Sequence, residues 1–292
     1  MSRFSSSWLV LSLALAACER REPAPVEPPP ARELRAEPRA LSEPAPALPE
    51  PVEVEIPTPD GLRLHGTLYP APEPDAAAVV LVHQLGSSRG EWTPLLEALR
   101  TTPALTVLAF DLRGHGASIL GRDGARLEHR NFDTLGWAET QRDVSSAVAF
   151  LRDEDAPVHP RRVALVGSSI GATAVVRAAS EDPGLDVLVA LSPGRAYQGV
   201  DSILVAVSLG PRALLAIAAR EEADSVETAQ ALARITGGRA VVVDGRAHGV
   251  ALLLEHSALA GQLVGFLRES LARPVLSEAA AVPPAEPTEG AR

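Results

Sequence analysis

Residues 52–56 alternate apolar and acidic side chains, and residues 62–69 alternate again with the same period of two. Pro59-Asp60-Gly61 lies between them. Period-two patterning on either side of a turn signal predicts an antiparallel hairpin. Beyond residue 76 the pattern changes. Short, nearly continuous apolar runs at 77–83, 105–110, 162–167, 185–191, 213–219 and 240–244 read as strands buried on both faces. Longer stretches with helical spacing fall between or after them, at 90–100, 137–151, 170–180, 225–235 and 250–271. Strand and helix in alternation predict an α/β fold, with a mostly parallel sheet covered by helices on both sides. No internal repeat interrupts the series.

The flanks read differently. Arg3 supplies a positive start, Trp8 to Ala17 is an apolar run too short to span a bilayer, and small residues precede Cys18. This pattern predicts a secretory signal over 1–18. Leu15-Ala16-Ala17-Cys18 resembles the bacterial lipobox, a resemblance that implies lipidation of Cys18. The alternative is an ordinary secretory peptide that leaves a free thiol. Several acyl chains would anchor stably where one is marginal. Glu19 stands where aspartate retains many lipoproteins in the inner membrane, which favours the outer one. Residues 19–51, dominated by Pro, Glu, Ala and Arg, read as a disordered tether, and 272–292 as a disordered tail of similar composition. One folded domain is expected over 52–271.

Composition narrows the field. Hydrophobic residues make up 46% but aromatics only 3%, so the core must be built from Ala, Val and Leu. A formal net charge of -10 argues against a nucleic-acid partner. Cys18 is the single cysteine, which excludes an internal disulfide and any cysteine-based metal site. No ligand cluster points to a metal or an organic cofactor.

Gly167-Ser168-Ser169-Ile170-Gly171 closes the strand at 162–167 and opens the helix at 170–180. G-x-S-x-G in a strand-turn-helix context is a nucleophile elbow, with Ser169 central and Ser168 a bystander. Other motifs flank it in order. Leu81-Val82-His83-Gln84-Leu85-Gly86-Ser87-Ser88 ends a strand. Asp111-Leu112-Arg113-Gly114-His115-Gly116-Ala117-Ser118 ends the next. Arg220-Glu221-Glu222-Ala223-Asp224 follows 213–219, and Asp244-Gly245-Arg246-Ala247-His248-Gly249 follows 240–244. With these motifs the chain resembles the α/β-hydrolase fold family over essentially the whole domain.

That resemblance implies a serine hydrolase, esterase-like, with Ser169 as nucleophile and His248 as the base. The acid would be Glu222, with Asp224 in reserve and Glu221 the least suited. Backbone N–H groups of Ile170 and Leu85 would form the oxyanion hole. Gln84 stands where many relatives carry glycine, so the loop conformation there is open. His83, Asp111, Arg113 and His115 read as loop scaffolding, and His256 as lying inside the last helix. Only a turn and one small helix fit between Leu191 and Arg212, so little or no lid is expected. The substrate expected is a small-molecule ester. Amide or peptide cleavage, acyl transfer, and an inactive envelope-binding protein that kept the fold remain open at this point.

Overall fold

The computed structural model describes residues 47–101 and 105–273. Cys18, most of the tether and nearly all of the tail therefore lie outside the described residues.

The hairpin forms as patterned. β1 (Val52–Pro57) pairs antiparallel with β2 (Arg63–Tyr69), and β2 pairs antiparallel with β4 (Thr106–Phe110). Every other pairing in the eight-stranded sheet is parallel, among β3 (Ala78–Val82), β4, β5 (Val163–Ser168), β6 (Val187–Leu191), β9 (Ala213–Ala219) and β10 (Arg239–Val243). Spatial order is β1-β2-β4-β3-β5-β6-β9-β10. After β3 the chain steps outward to β4, and β5 then returns on the opposite side of β3. The crevice at the carboxyl ends of β3 and β5 is thus a topological switch point, where open α/β sheets hold their ligands.

Both faces of the sheet are buried, which is why its strands read as apolar runs. Val80, Val82, Leu165, Leu188, Leu214 and Ala216 face one core together with α3 (Thr140–Arg152), α4 (Ile170–Glu181) and α6 (Ala223–Thr236). Their alternating neighbours, such as Val79, Leu81, Val166, Val189 and Ile217, face a second core with α1 (Thr93–Arg100), α7 (Ala251–Glu255) and α8 (Ser257–Leu271).

Three details depart from the sequence reading. The helix expected at 90–100 starts as a 3-10 turn, Arg89–Trp92, and becomes α-helical only where Pro94 occupies the first turn of α1. The helix expected at 137–151 is two, α2 (Thr134–Ala138) and α3, and that expected at 250–271 divides at His256. His256 therefore lies between α7 and α8, with Nε2 2.9 Å from the Asp244 carbonyl. Finally, the short segment after β6 holds a two-stranded ribbon besides its helix α5 (Ile203–Ala206). The ribbon pairs β7 (Ala196–Tyr197) with β8 (Val200–Asp201) through Gln198 and Gly199, both at positive φ as a tight primed turn requires.

Candidate active site

The elbow is built by close approach. A Cβ on Gly167 would stand 2.3 Å from the Gly171 carbonyl oxygen, and one on Gly171 would stand 2.3 Å from that of Val82. Only glycine lets α4 start so tightly over β3 and β5. Ser169 sits between them at φ 56°, ψ -116°, a strained conformation for a residue with a side chain. Its N–H donates to the Leu191 carbonyl at 2.9 Å, which ties the turn to β6. Ser168 is fully buried and its hydroxyl donates to Gln84 Oε1 at 3.3 Å.

His248 lies in the loop after β10, with its side chain 40% exposed. Its Nδ1 is hydrogen-bonded to Glu222 Oε1. Glu222 is the residue immediately before α6, whereas Asp224 and Glu221 are exposed to solvent. A carboxylate only accepts, so Nδ1 carries the proton of this bond, and the neutral tautomer that makes it has its free lone pair on Nε2. Among the described residues no hydrogen bond joins Ser169 to His248. Tyr197 lies against both. Its ring meets that of His248 edge to face at 6.2 Å. Burial pushes its phenol above the ordinary range and the Glu222 charge adds to the rise, while the hydroxyls of Ser225 and Ser169 oppose it. Kept neutral, the phenol donates to the Ser192 carbonyl at 3.2 Å.

Ser192, one residue beyond β6, was not singled out by the sequence. Its hydroxyl donates to Glu222 Oε2 at 2.7 Å and accepts the N–H of Gly249 at 2.9 Å. It thereby braces the acid and the histidine loop at once. A polar residue at the carboxyl end of a central strand was the signal that could have found it.

The loop after β3 is fixed from several sides. Leu112 N–H donates to His83 Nε2 at 3.0 Å, so Nδ1 carries the proton and donates to the Gln84 carbonyl at 2.8 Å. Burial holds His83 below the usual imidazole range, in keeping with this neutral tautomer. Gln84 is not among the residues at positive φ; that conformation falls to Gly86, at 72°. The loop therefore forms without glycine at 84. Among the described residues, the N–H groups of Leu85 and Ile170 have no hydrogen-bond acceptor. Asp111 and Arg113 hold neighbouring turns. Asp111 accepts from Arg89 N–H at 2.7 Å and Ala117 N–H at 2.8 Å, and Arg113 clasps the fully buried Asp143 at 2.9 and 2.7 Å. His115 stacks on His129 with centroids 4.0 Å apart.

Glu91 is the remaining charged group here. Its Oε1 accepts from Gln84 N–H at 3.0 Å, while Oε2 is buried without a partner. Burial pushes this carboxyl up to about 7, although Ser87, the Gln84 N–H and the charge of His248 pull it down. Among the described residues no group of three His, Cys, Asp or Glu side chains could hold a metal ion. A cavity of about 540 Å³ lies elsewhere, against Arg162, Asp186 and Arg212 at the amino ends of β5, β6 and β9.

Known proteins share this architecture. An esterase of Pyrococcus furiosus superposes with a TM-score of 0.59 at 21% identity, covering 76% of this chain and 91% of its own. A dienelactone hydrolase from Anabaena variabilis gives 0.60 at 18% identity, over 77% and 99%. The enol-lactonase of Burkholderia xenovorans gives 0.55 at 16% identity, over 74% and 100%. At such identities the likeness establishes the α/β-hydrolase fold alone. No curated protein sequence matches the chain. The sequence model of the hydrolase family described as serine aminopeptidase, S33, matches residues 73–230, more than half of the chain. The chain belongs to that family of α/β hydrolases.

Proposed function

We propose that this hydrolase cleaves small carboxylic esters through an acyl-enzyme on Ser169, and that it works outside the cytoplasm on a lipid anchor at Cys18. The observation that carries the chemistry is the Glu222–His248 pair, which leaves Nε2 as a free base on the same rim as an elbow serine. Ser169 Oγ attacks the carbonyl carbon and passes its proton to His248 Nε2. The N–H groups of Ile170 and Leu85 receive the developing oxyanion. Collapse breaks the ester C–O bond, and the leaving alcohol takes the proton from Nε2. Water, deprotonated by the same nitrogen, then releases the acid and restores Ser169. Glu222 holds the imidazole in its tautomer and stabilises the imidazolium.

The anchor rests on the signal-like residues 1–18 and the lipobox-like run ending at Cys18. Incorporation of a fatty acid into the wild type but not into Cys18→Ser supports it, and labelling of both or neither overturns it. The chemistry is tested with a fluorophosphonate probe. The folded protein should be labelled and Ser169→Ala should not; equal labelling of both defeats the assignment.

The family description favours a second reading, in which the same residues cleave a peptide bond beside a free amino terminus. The esterase and lactonase likenesses favour esters. Product analysis with matched amino-acid esters and anilides separates the two: faster release from the anilide would establish the peptidase.

A further inference from the structure

A peptide plane has two ends. In a trans peptide the C=O of one residue and the N–H of the next point in opposite directions. Whatever pins the Gln84 carbonyl therefore aims the Leu85 N–H. Two donors pin it: His83 Nδ1–H at 2.8 Å and Ser87 N–H at 3.2 Å. The preceding plane, ending in Gln84 N–H, is pinned by Glu91 Oε1 at 3.0 Å. With both planes held, the two soft torsions of Gln84 are set from outside, which explains why the loop manages without glycine at that position.

Resting on the reading of Ser169 as nucleophile, we propose that Glu91 is a positioning residue of the oxyanion hole. It holds the Gln84 N–H so that the next one, Leu85 N–H, faces the reacting oxygen. Glu91 comes from the 3-10 turn before α1 and touches none of the reacting atoms. Folding alone gives little reason for a carboxyl here. One of its oxygens is buried unpartnered, which costs stability that an apolar side chain would not. The placement is that of a strut behind the Gln84 peptide.

The test compares wild type, Glu91→Leu and Glu91→Gln in p-nitrophenyl acetate hydrolysis, with Ser169→Ala in parallel. Glu91→Leu should lower kcat by about ten- to a hundredfold, as expected for a displaced donor, with KM within about twofold. Glu91→Gln keeps an oxygen that accepts the Gln84 N–H and should restore kcat to within about threefold of wild type. The rate of fluorophosphonate labelling should fall and recover in parallel, because phosphonylation uses the same hole. An unchanged kcat in Glu91→Leu, or a Gln variant as impaired as the Leu one, overturns the proposal. If Glu91→Leu does not fold, Glu91→Asp carries the test. Its carboxyl is one methylene short of the Gln84 N–H, and kcat equal to wild type overturns the proposal there too. A wild type no faster than Ser169→Ala would instead overturn the nucleophile reading, and this strut with it.

Discussion

Ser169 and Ser192 stand just past the carboxyl ends of neighbouring parallel strands, at φ 56° and 44°. Each is buried, and each N–H donates to the carbonyl of a residue on the next strand, Leu191 for one and Ile217 for the other. Residue type, backbone strain and place in the sheet are nearly the same. What differs is the wiring of the hydroxyl. That of Ser192 is spent twice within the protein, on Glu222 and on Gly249. That of Ser169 lies beside Tyr197 at the head of α4, and among the described residues the N–H of the next residue, Ile170, is uncommitted, as is that of Leu85 after β3. A strained serine at a strand end is thus no signature of a nucleophile. On the proposed reading, the distinction comes from whether its hydroxyl is left available.

The largest effects should come from the available one. Ser169→Ala and His248→Ala should each lower kcat by about a millionfold if the two act as a unit, and the double variant should lose little more. Additive losses would separate them. Glu222→Ala should cost less, about ten-thousandfold, because the imidazole survives but loses its tautomer. Asp224→Ala, changed at an exposed site in the first turn of α6, should lose almost nothing. Steady-state hydrolysis of p-nitrophenyl acetate measures all five.

The same contrast explains how much could be read from the chain. The strand at 213–219 matches β9 residue for residue, and the other parallel strands differ only at their ends, since burial on both faces leaves a continuous apolar run. The elbow shows because its two glycines are forced by backbone oxygens that an added Cβ would meet at 2.3 Å, and such sterics leave a local motif. Helix interruptions were hidden. At His256 and Glu139 the chain changes direction without proline or glycine, so periodicity runs on through them. Ser192, Tyr197 and Glu91 were invisible for another reason. Their partners lie 30, 5 and 7 residues away, in combinations that no short motif records.

Glu91 offers a smaller effect, read in stability. Its carboxyl is raised from 4.5 to about 7 in the folded protein, mainly by burial. The folded state therefore binds more protons than the unfolded chain between those values, and stability falls as pH rises through that window. The shift corresponds to at most about 3 kcal/mol, fully lost above pH 7 and recovered below pH 4.5. Urea unfolding of wild type and Glu91→Gln at pH 5 and pH 8 isolates it, since other titrating groups cancel in the comparison. The wild type should lose more stability on going to pH 8 than the variant does. Equal losses would mean that the carboxyl is not buried as a charge.

Ser192 should show a small effect and the most discriminating one. Ser192→Ala removes a hydrogen bond to a charged carboxylate and leaves the Gly249 N–H unpaired, a loss of about 1.5–3 kcal/mol, or roughly ten- to a hundredfold in kcat. Ser192→Gly removes the same hydroxyl but relieves the positive φ, which costs a residue with a side chain about 1 kcal/mol or more. The two variants should be equally slow, yet the glycine one should melt higher. Were activity to follow melting temperature instead, Ser192 would be a fold-stabilising turn residue and nothing more. If Ser192→Ala remained fully active while Ser169→Ala stayed inactive, the Glu222–His248 pair would hold its geometry without a brace. The two strained serines would then share a conformation and no common purpose.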